Sequence, residues 1–421
     1  MTTEEFIFHH RSDSVADLAL HASRWPEVDM PYALSQIEGW QRARRKLPSW
    51  AATEGIVYPP HLALEQCSSE STARYKAALI SRLLPRGGSY VDLTGGLGVD
   101  FSFVAQLCRP ARFVYVERQK QLCDLARHNF ALLGVADAEV VCGDGASYLH
   151  AMAQASVVFL DPARRDSHGG KTVALADCQP NVLLLRDELL RKADAVVVKL
   201  SPMLDWHEAL RQLGRDVVAE VHVVSVGNEC KELLFVLQRA AADRGGAGEP
   251  LLLCANDGEV FVGSLHDDVR IVSDLSSARY LYEPNSSIMK AGCFGALCRS
   301  FPVEAVAANS HLFVSPDWLP AFPGRRFQLA GVLSFSKRDL RGLSALSQAN
   351  ITVRNFPMSA ADLRKRLRLR DGGDDYLFAT TLAGGSKVLL HARRPFGDDR
   401  PATAERPSSG ARYGRFYRLV L

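Results

Sequence analysis

From residue 89 onward the chain alternates short, continuously apolar runs with amphipathic stretches. The runs at 90–93, 113–117, 138–142, 157–161 and 195–200 predict strands, and the stretches at 101–107, 119–133 and 180–191 predict helices between them. Strands without polar alternation are covered on both faces, so a parallel sheet sandwiched by helices is expected. After a further helix at 205–213, the runs at 217–226 and 233–238 are joined only by the turn GNECK. That connection has no room for a crossover helix, so the last pair must be antiparallel. Upstream of residue 75 the pattern is helical: 31–46 shows no strand alternation, Pro59 and Pro60 break the chain, and 71–84 predicts a helix that stops at Pro85.

The stretch 240–250, AAADRGGAGEP, has the composition of a linker. Beyond it the runs at 251–254 and 259–262 flank Asn256-Asp257-Gly258, a hairpin signal, and 286–297 is helical. From 326 the pattern gives a strand at 329–336, a helix at 337–346, a strand at 351–355 and a helix at 359–367, with Ser359 and Asp362 as a capping box built from Asp. A last hairpin, 376–382 with 386–392, turns at Gly384-Gly385. The expected organisation is a helical N-terminal region (1–75), an α/β sheet domain (76–240), two small α+β domains (250–325 and 326–395) and a flexible tail (396–421).

Composition agrees with several folded cores: the chain has 421 residues, 47% of them hydrophobic and 23% charged. The longest apolar runs are too short to span a bilayer. The N-terminus lacks the apolar stretch of a signal peptide. Nine scattered cysteines without a CxxC argue against a disulfide framework and against a structural metal, so reduced thiols in the cytoplasm are expected. The formal charge of +3 conceals an asymmetry. Residues 331–421 hold 17 Arg and Lys against 8 Asp and Glu, a balance of +9, which leaves −6 for the preceding 330 residues.

Candidate chemistry lies at the ends of successive strands. VDLTGGLGVD puts Asp92 at a strand end, with Thr94, Gly95, Gly96 and Gly98 in the turn before a helix. Glycines there let the backbone approach a ligand and expose its N–H groups. FVYVERQ ends the next strand on Glu117, an acid able to take both ribose hydroxyls, and CGDGASYL adds Asp144 after the third, within reach of an adenine amino group. A fourth strand runs into Asp161-Pro162-Ala163-Arg164-Arg165-Asp166 beside the same crevice.

The three-part strand-end pattern and the terminal hairpin resemble class I S-adenosylmethionine-dependent methyltransferases, with their Rossmann-like, seven-stranded sheet. The resemblance implies S-adenosyl-L-methionine as cofactor, held by Asp92, Thr94, Gly95, Gly96 and Gly98 at its methionine end, Glu117 at the ribose, Asp144 at the adenine and Asp161 beside the methyl group. An NAD site fits less well, because the loop is not GxGxxG. The tetrapeptide at Asp161 is similar to the Asp/Asn-Pro-Pro-aromatic motif of enzymes that methylate exocyclic amino groups. It implies that Asp161 and the Pro162 carbonyl orient a target nitrogen. Ala163 and Arg164 depart from that motif, and Arg164 offers a guanidinium plane where the aromatic would stack. Arg164 is also similar to its counterpart in 5-methyluridine enzymes, but VVVKLSPML has no nucleophilic thiol at the end of the fifth strand.

Arg164, Arg165 and Lys171 in a cover segment at 164–180, together with Lys199, suit an anionic substrate. Gln66, Ser68, Ser69 and Glu70 fit either a lid over the cofactor or a packed helix start. With LEQCSSESTARYK, FLDPARRD and RNFPMSAADLRKRLRLRDGGDDYLFAT added, nearly the whole chain resembles a bacterial methyltransferase group with a ferredoxin-like domain and a C-terminal THUMP-like domain. THUMP domains of other enzymes bind structured RNA, which implies tRNA or rRNA as partner. Arg364, Lys365, Arg366, Arg368 and Arg370 form a compatible phosphate-binding cluster, offset by Asp371, Asp374 and Asp375. The expectation is methylation of an exocyclic base nitrogen in RNA. The alternatives are a methyltransferase of proteins or small molecules, and a non-catalytic RNA-binding protein that keeps the fold.

Overall fold

Val157, Val158, Phe159 and Leu160 of one apolar run, and Val196, Val197 and Val198 of another, are each no more than 1% exposed. Burial on both faces of a strand leaves it no polar side to turn to water, which is the physical meaning of these unbroken runs. The computed structural model describes residues 1–59, 61–164, 175–239, 249–395 and 416–418. They divide into two compact units, the first built from Met1–Val226 with Lys231–Pro250 and the second mainly from Leu251 onward.

The first unit is an α/β sandwich. Its strands are β1 (Ser89–Asp92), β2 (Arg112–Glu117), β3 (Glu139–Cys142), β4 (Ala155–Leu160), β5 (Ala193–Leu200), β6 (Val218–Val226) and β7 (Glu229–Leu237). They lie in the order β3-β2-β1-β4-β5-β7-β6. The first five are parallel neighbours, and β7 runs antiparallel to β5. The turn between β6 and β7 uses Gly227 and Asn228, both at φ 58, as a tight hairpin turn requires. This is the class I methyltransferase arrangement expected from the sequence. Strand order reverses between β1 and β4, which opens a crevice at their carboxyl ends.

Helices α1 (Thr3–His10), α2 (Val15–Leu20), α3 (Met30–Lys46), α4 (Pro48–Ala52) and α5 (His61–Gln66) form the N-terminal region, around Phe6, Leu18, Ala33 and Ile37. α6 (Glu70–Leu83) crosses the boundary expected at 75/76 and packs on α7 (Val99–Cys108). The sheet is further covered by α8 (Lys120–Leu132), α9 (Gly145–Ala151), α10 (Val182–Lys192) and α11 (Trp206–Leu213). Lys76 of α6 is fully buried, with its ammonium 2.7 Å from both carboxylate oxygens of Glu232 and 3.2 Å from Asp100 Oδ1.

In the second unit, β8 (Leu251–Asn256) and β9 (Glu259–Gly263) make the expected hairpin, with Asp257 and Gly258 at positive φ. A seven-stranded sheet follows, from β10 (Tyr280–Pro284), β11 (Glu304–Ala305), β12 (Phe313–Ser315), β13 (Gly324–Ser334), β14 (Asn350–Val353), β15 (Asp375–Thr381) and β16 (Lys387–Arg393), in the order β11-β12-β10-β13-β16-β15-β14. Its helices are α12 (Ser286–Ala291), α13 (Phe294–Ser300), α14 (Lys337–Gly342) and α15 (Ala360–Leu367).

The boundary expected at 325/326 falls inside β13. The first part of that strand pairs with β10 and the remainder with β16, so one strand splices the two modules into a single sheet. Leu281, Leu312, Phe327, Phe378 and Leu390 share one core across that line. The Ser359–Asp362 capping box forms only in part. The Asp362 N–H donates to Ser359 Oγ, but the short Asp carboxylate is met by the Ser359 hydroxyl at 2.6 Å. The expected linker at 240–250 lies outside the described residues except at its last two positions. The expected flexible tail does too, except that Phe416–Arg418 form a short strand. No helix among the described residues is long and apolar enough to cross a membrane.

Removing one member of a fully buried ion pair strands the other without water. Lys76→Met, which leaves Glu232 and Asp100 facing an apolar chain, is therefore expected to lower the unfolding free energy by about 3–5 kcal/mol. Urea denaturation followed by circular dichroism measures this, and an unchanged midpoint would show that the pair contributes nothing net.

Candidate functional site

The carboxyl ends of β1, β2, β3 and β4 surround a cavity of about 260 Å³, lined by the 92–100 loop, Glu117, Arg118, Gln119, Gly143, Asp144, Gly145, Phe159 and Asp161. Gln66, Cys67 and Ser68 close another side, with Gln179 and Pro180. A larger depression between α3 and α5, about 620 Å³, is lined by Arg42, Glu38 and Glu65, which pair with one another, and by Lys46, which donates to the Leu64 carbonyl. These four charges are engaged within the fold.

The glycine loop is shaped by packing as well as by ligand access. Gly98 has φ 81, and a Cβ there would sit 2.7 Å from the Phe130 ring. By contrast, a Cβ on Gly96 or Gly143 meets no atom closer than 3.8 Å, so open space adjoins these two backbones on the cavity side. The Tyr115 hydroxyl donates to the Gly96 carbonyl and braces the loop from beneath.

Glu117 is anchored with both oxygens engaged, Oε2 accepting from Gly96 N–H at 3.0 Å and Oε1 from Gln119 N–H at 2.8 Å. Its second lone pairs are left for a diol on the cavity side. Asp144 caps α9, with Oδ1 accepting from the Ser147 N–H at 2.9 Å. Asp92 is buried, and its Oδ1 accepts from the Thr94 N–H at 2.9 Å. Burial is the main cause that pushes its pKa up to about 8, and the Asp100 and Asp161 carboxylates add to it. The Thr94 hydroxyl in turn accepts from the Asp161 N–H at 2.6 Å, which ties the β1 loop to the β4 end.

Asp161 Oδ2 accepts from Lys199 Nζ at 2.5 Å, and Oδ1 has no partner among the described residues. Pro162 is buried beside it. The structure therefore brings together Asp92, Thr94, Gly95, Gly96, Gly98, Glu117, Asp144, Asp161 and Pro162. Lys199, expected to bind substrate phosphate, is mostly buried and is committed to Asp161 instead.

Ala163 and Arg164 pair with Gln179 and Cys178 in a short antiparallel ladder; the Arg164 side chain, Arg165 and Lys171 lie outside the described residues. Of the suggested lid residues, Gln66 and Ser68 border the cavity. Ser69 caps α6, and Glu70 accepts from Ser49 and Arg74, so these two belong to the packed helix start.

In the basic cluster, Arg364 pairs with Asp371 at 2.5 Å and the Arg366 guanidinium lies 4.6 Å from the centre of the Phe335 ring. Lys365, Arg366, Arg368 and Arg370 are exposed. Asp375 accepts from His391 and Arg393 and so does not neutralise the cluster. Sequence reasoning missed Lys76, Asp100 and Glu232. A lysine flanked by Ala73, Ala77 and Ile80 on one helix face was the available signal.

Two family models match the second unit: a ferredoxin-like domain over residues 280–323 and a THUMP domain-like family over 324–394. The chain is similar to the crystal structure of a candidate methyltransferase from Porphyromonas gingivalis W83, with 32% identity and a TM-score of 0.80 over 93% of this chain and 97% of that one. It is also similar to uncharacterized S-adenosylmethionine-dependent methyltransferases of Mycobacterium tuberculosis strains CDC 1551 and H37Rv. Each is 29% identical over 343 residues, which is 79% of this chain and 87% of the relative.

A cation entering the cavity favours the ionised form of Asp92, so its binding below about pH 8 must expel the Asp92 proton. Affinity for S-adenosylmethionine is expected to rise with pH, by at most about tenfold per unit, and to level off above about pH 8. Asp92→Asn should flatten that rise. Titration calorimetry across the range decides it, and a pH-independent affinity in the native protein would remove Asp92 from the cofactor site.

Proposed function

The chain belongs to the family of bacterial S-adenosylmethionine-dependent methyltransferases that carry a ferredoxin-like and a THUMP-like domain, and from that premise we propose that it methylates an exocyclic amino nitrogen of a base in RNA. S-adenosylmethionine is its cofactor, and when bound it supplies an electrophilic methyl group on a sulfonium sulfur. The residues around the cavity fit that group: a glycine loop with open space beside Gly96, an anchored acid at the β2 end, and a capped acid after β3.

The observation that carries the reading is Asp161, fixed through its N–H by Thr94 and through Oδ2 by Lys199, with Oδ1 left to accept from a substrate. An amino group that donates one N–H to Oδ1 and the other to the Pro162 carbonyl has its lone pair held in one direction. Positioning of this kind removes an entropic part of the barrier. With the cofactor bound, Asp161 and the Pro162 carbonyl would hold the amine for transfer, and the nitrogen's extra proton would pass to water. No strong base is required for the transfer itself.

RNA is favoured as substrate by the THUMP-like domain and by the exposed Lys365, Arg366, Arg368 and Arg370. Phosphate contacts of this type position a polymer without reading its sequence.

Asp161→Ala is expected to lower methyl transfer by at least about 100-fold while leaving cofactor affinity largely intact. Loss of cofactor binding in proportion to activity would sink that role. Mass spectrometry of nucleosides from tRNA and rRNA, with and without the gene, identifies the modified base; unchanged nucleosides would overturn RNA as the substrate. Binding of the intact protein to bulk tRNA should weaken steeply with salt. Replacing Lys365, Arg366, Arg368 and Arg370 by Ala should reduce the log–log salt slope by about 3 if all four contact phosphate.

A further inference from the structure

β4 and β5 are parallel neighbours whose last register pair is Leu160 with Val198. Asp161 and Lys199 are the next residues of each strand, at the rim of the crevice. Behind them stands a row of alternating charges. Lys199 Nζ donates to Asp161 Oδ2 at 2.5 Å and to Ser68 Oγ at 3.4 Å. The Ser68 hydroxyl donates to Asp100 Oδ2 at 2.8 Å, and Asp100 Oδ1 lies 3.2 Å from Lys76 Nζ. Lys76 completes the row on both oxygens of Glu232.

Four structural elements (β5, α6, α7 and β7) and the loops at Ser68 and Asp161 supply these groups, and none but Asp161 is more than slightly exposed. Burial by itself lowers the pKa of a lysine in this place. The Asp161, Asp100 and Glu232 carboxylates outweigh it and hold Lys199 protonated.

We propose that Lys199 is a positioning residue for methyl transfer: it pins Asp161 Oδ2 and so presents Oδ1 as an acceptor to the substrate. The inference rests on Asp161 acting as acceptor for the target amine, and it narrows the substrate class. A neutral amino group with two N–H bonds satisfies Oδ1 and the neighbouring carbonyl. An anionic oxygen, such as a carboxylate or phosphate, is repelled there. Lys76 acts one step further back: held by Glu232, it pairs with Asp100, which holds Ser68 against Lys199. Among the described residues, the charged groups shown to act on Asp161 are Lys199 on β5, which binds it, and Asp92 on β1.

The test compares the native full-length protein with Lys199→Met, Lys199→Arg and Ser68→Ala. Labelled S-adenosylmethionine is the donor, and bulk tRNA and rRNA from cells lacking the gene are the acceptor. In parallel, the Asp161 carboxyl is titrated by carbon NMR of aspartate-labelled protein, with its signal assigned through Asp161→Asn. Lys199→Met is expected to lower kcat by about 100-fold with little change in cofactor affinity. It should also move the acid limb of the rate profile to higher pH, because the cation beside the carboxylate is gone.

Lys199→Arg should recover part of the rate because it keeps the charge, and Ser68→Ala should fall between the native protein and Lys199→Met. A staple that only holds the fold together would not move the acid limb. An Asp161 titration identical in native protein and Lys199→Met overturns the proposal, as does native-rate transfer by Lys199→Met. A displaced titration without methylation of either RNA by the native protein upholds the Lys199–Asp161 coupling and overturns RNA as the acceptor.

Discussion

A parallel sheet buried on both faces has no place for polar chemistry along its strands. The backbones of β1, β4 and β5 pair with neighbouring strands along their length, and polar side chains gather where the chain leaves the sheet. The reversal of strand order between β1 and β4 separates two successive connections, and the strand ends there face a crevice instead of a covering helix. Asp92, Glu117, Asp144 and Asp161 all follow from that one constraint. They are the first polar side chains after apolar runs, and the sheet delivers them to one cavity.

Carboxylates gathered around a small cavity repel one another and resist burial. Two lysines answer that problem on one side of the crevice. Lys76 is fully buried with Glu232 and Asp100, and Lys199 lies against Asp161. Such pairs cost much of what they return in stability, since each ion gives up its hydration. Their value lies in geometry: a row of alternating charge, braced from several elements, leaves each carboxylate few orientations. Asp92 has no such cation and rises instead to a pKa of about 8.

Much of the fold was legible in the sequence because its signals are local. The unbroken apolar runs gave the five parallel strands, and the GNECK turn gave the antiparallel end through two adjacent residues at positive φ. The strand-end acids followed from the same runs. The basic cluster and its partial offset by Asp371 were legible too, but not the pairing of Asp371 with Arg364 in particular or the stacking of Arg366 on Phe335, which depend on how the α15 surface folds back on its neighbours. The boundary near 325, drawn from composition and element rhythm, lies within two residues of the limit between the two matching family models; a strand that pairs on both sides of it leaves no trace in either signal.

What the sequence determined by itself is the order of elements and the residues that end them, because hydrophobic period and turn chemistry act over a few neighbours. What only the tertiary structure decided is the partner of each buried charge. Lys199 looked like a phosphate ligand while its surroundings were unknown, and 38 positions separate it from Asp161. Lys76 and Glu232 lie 156 positions apart. Pairings across such distances are fixed by strand register and helix packing, which place a cation where desolvation makes it need an anion, and no pattern along the chain encodes that meeting.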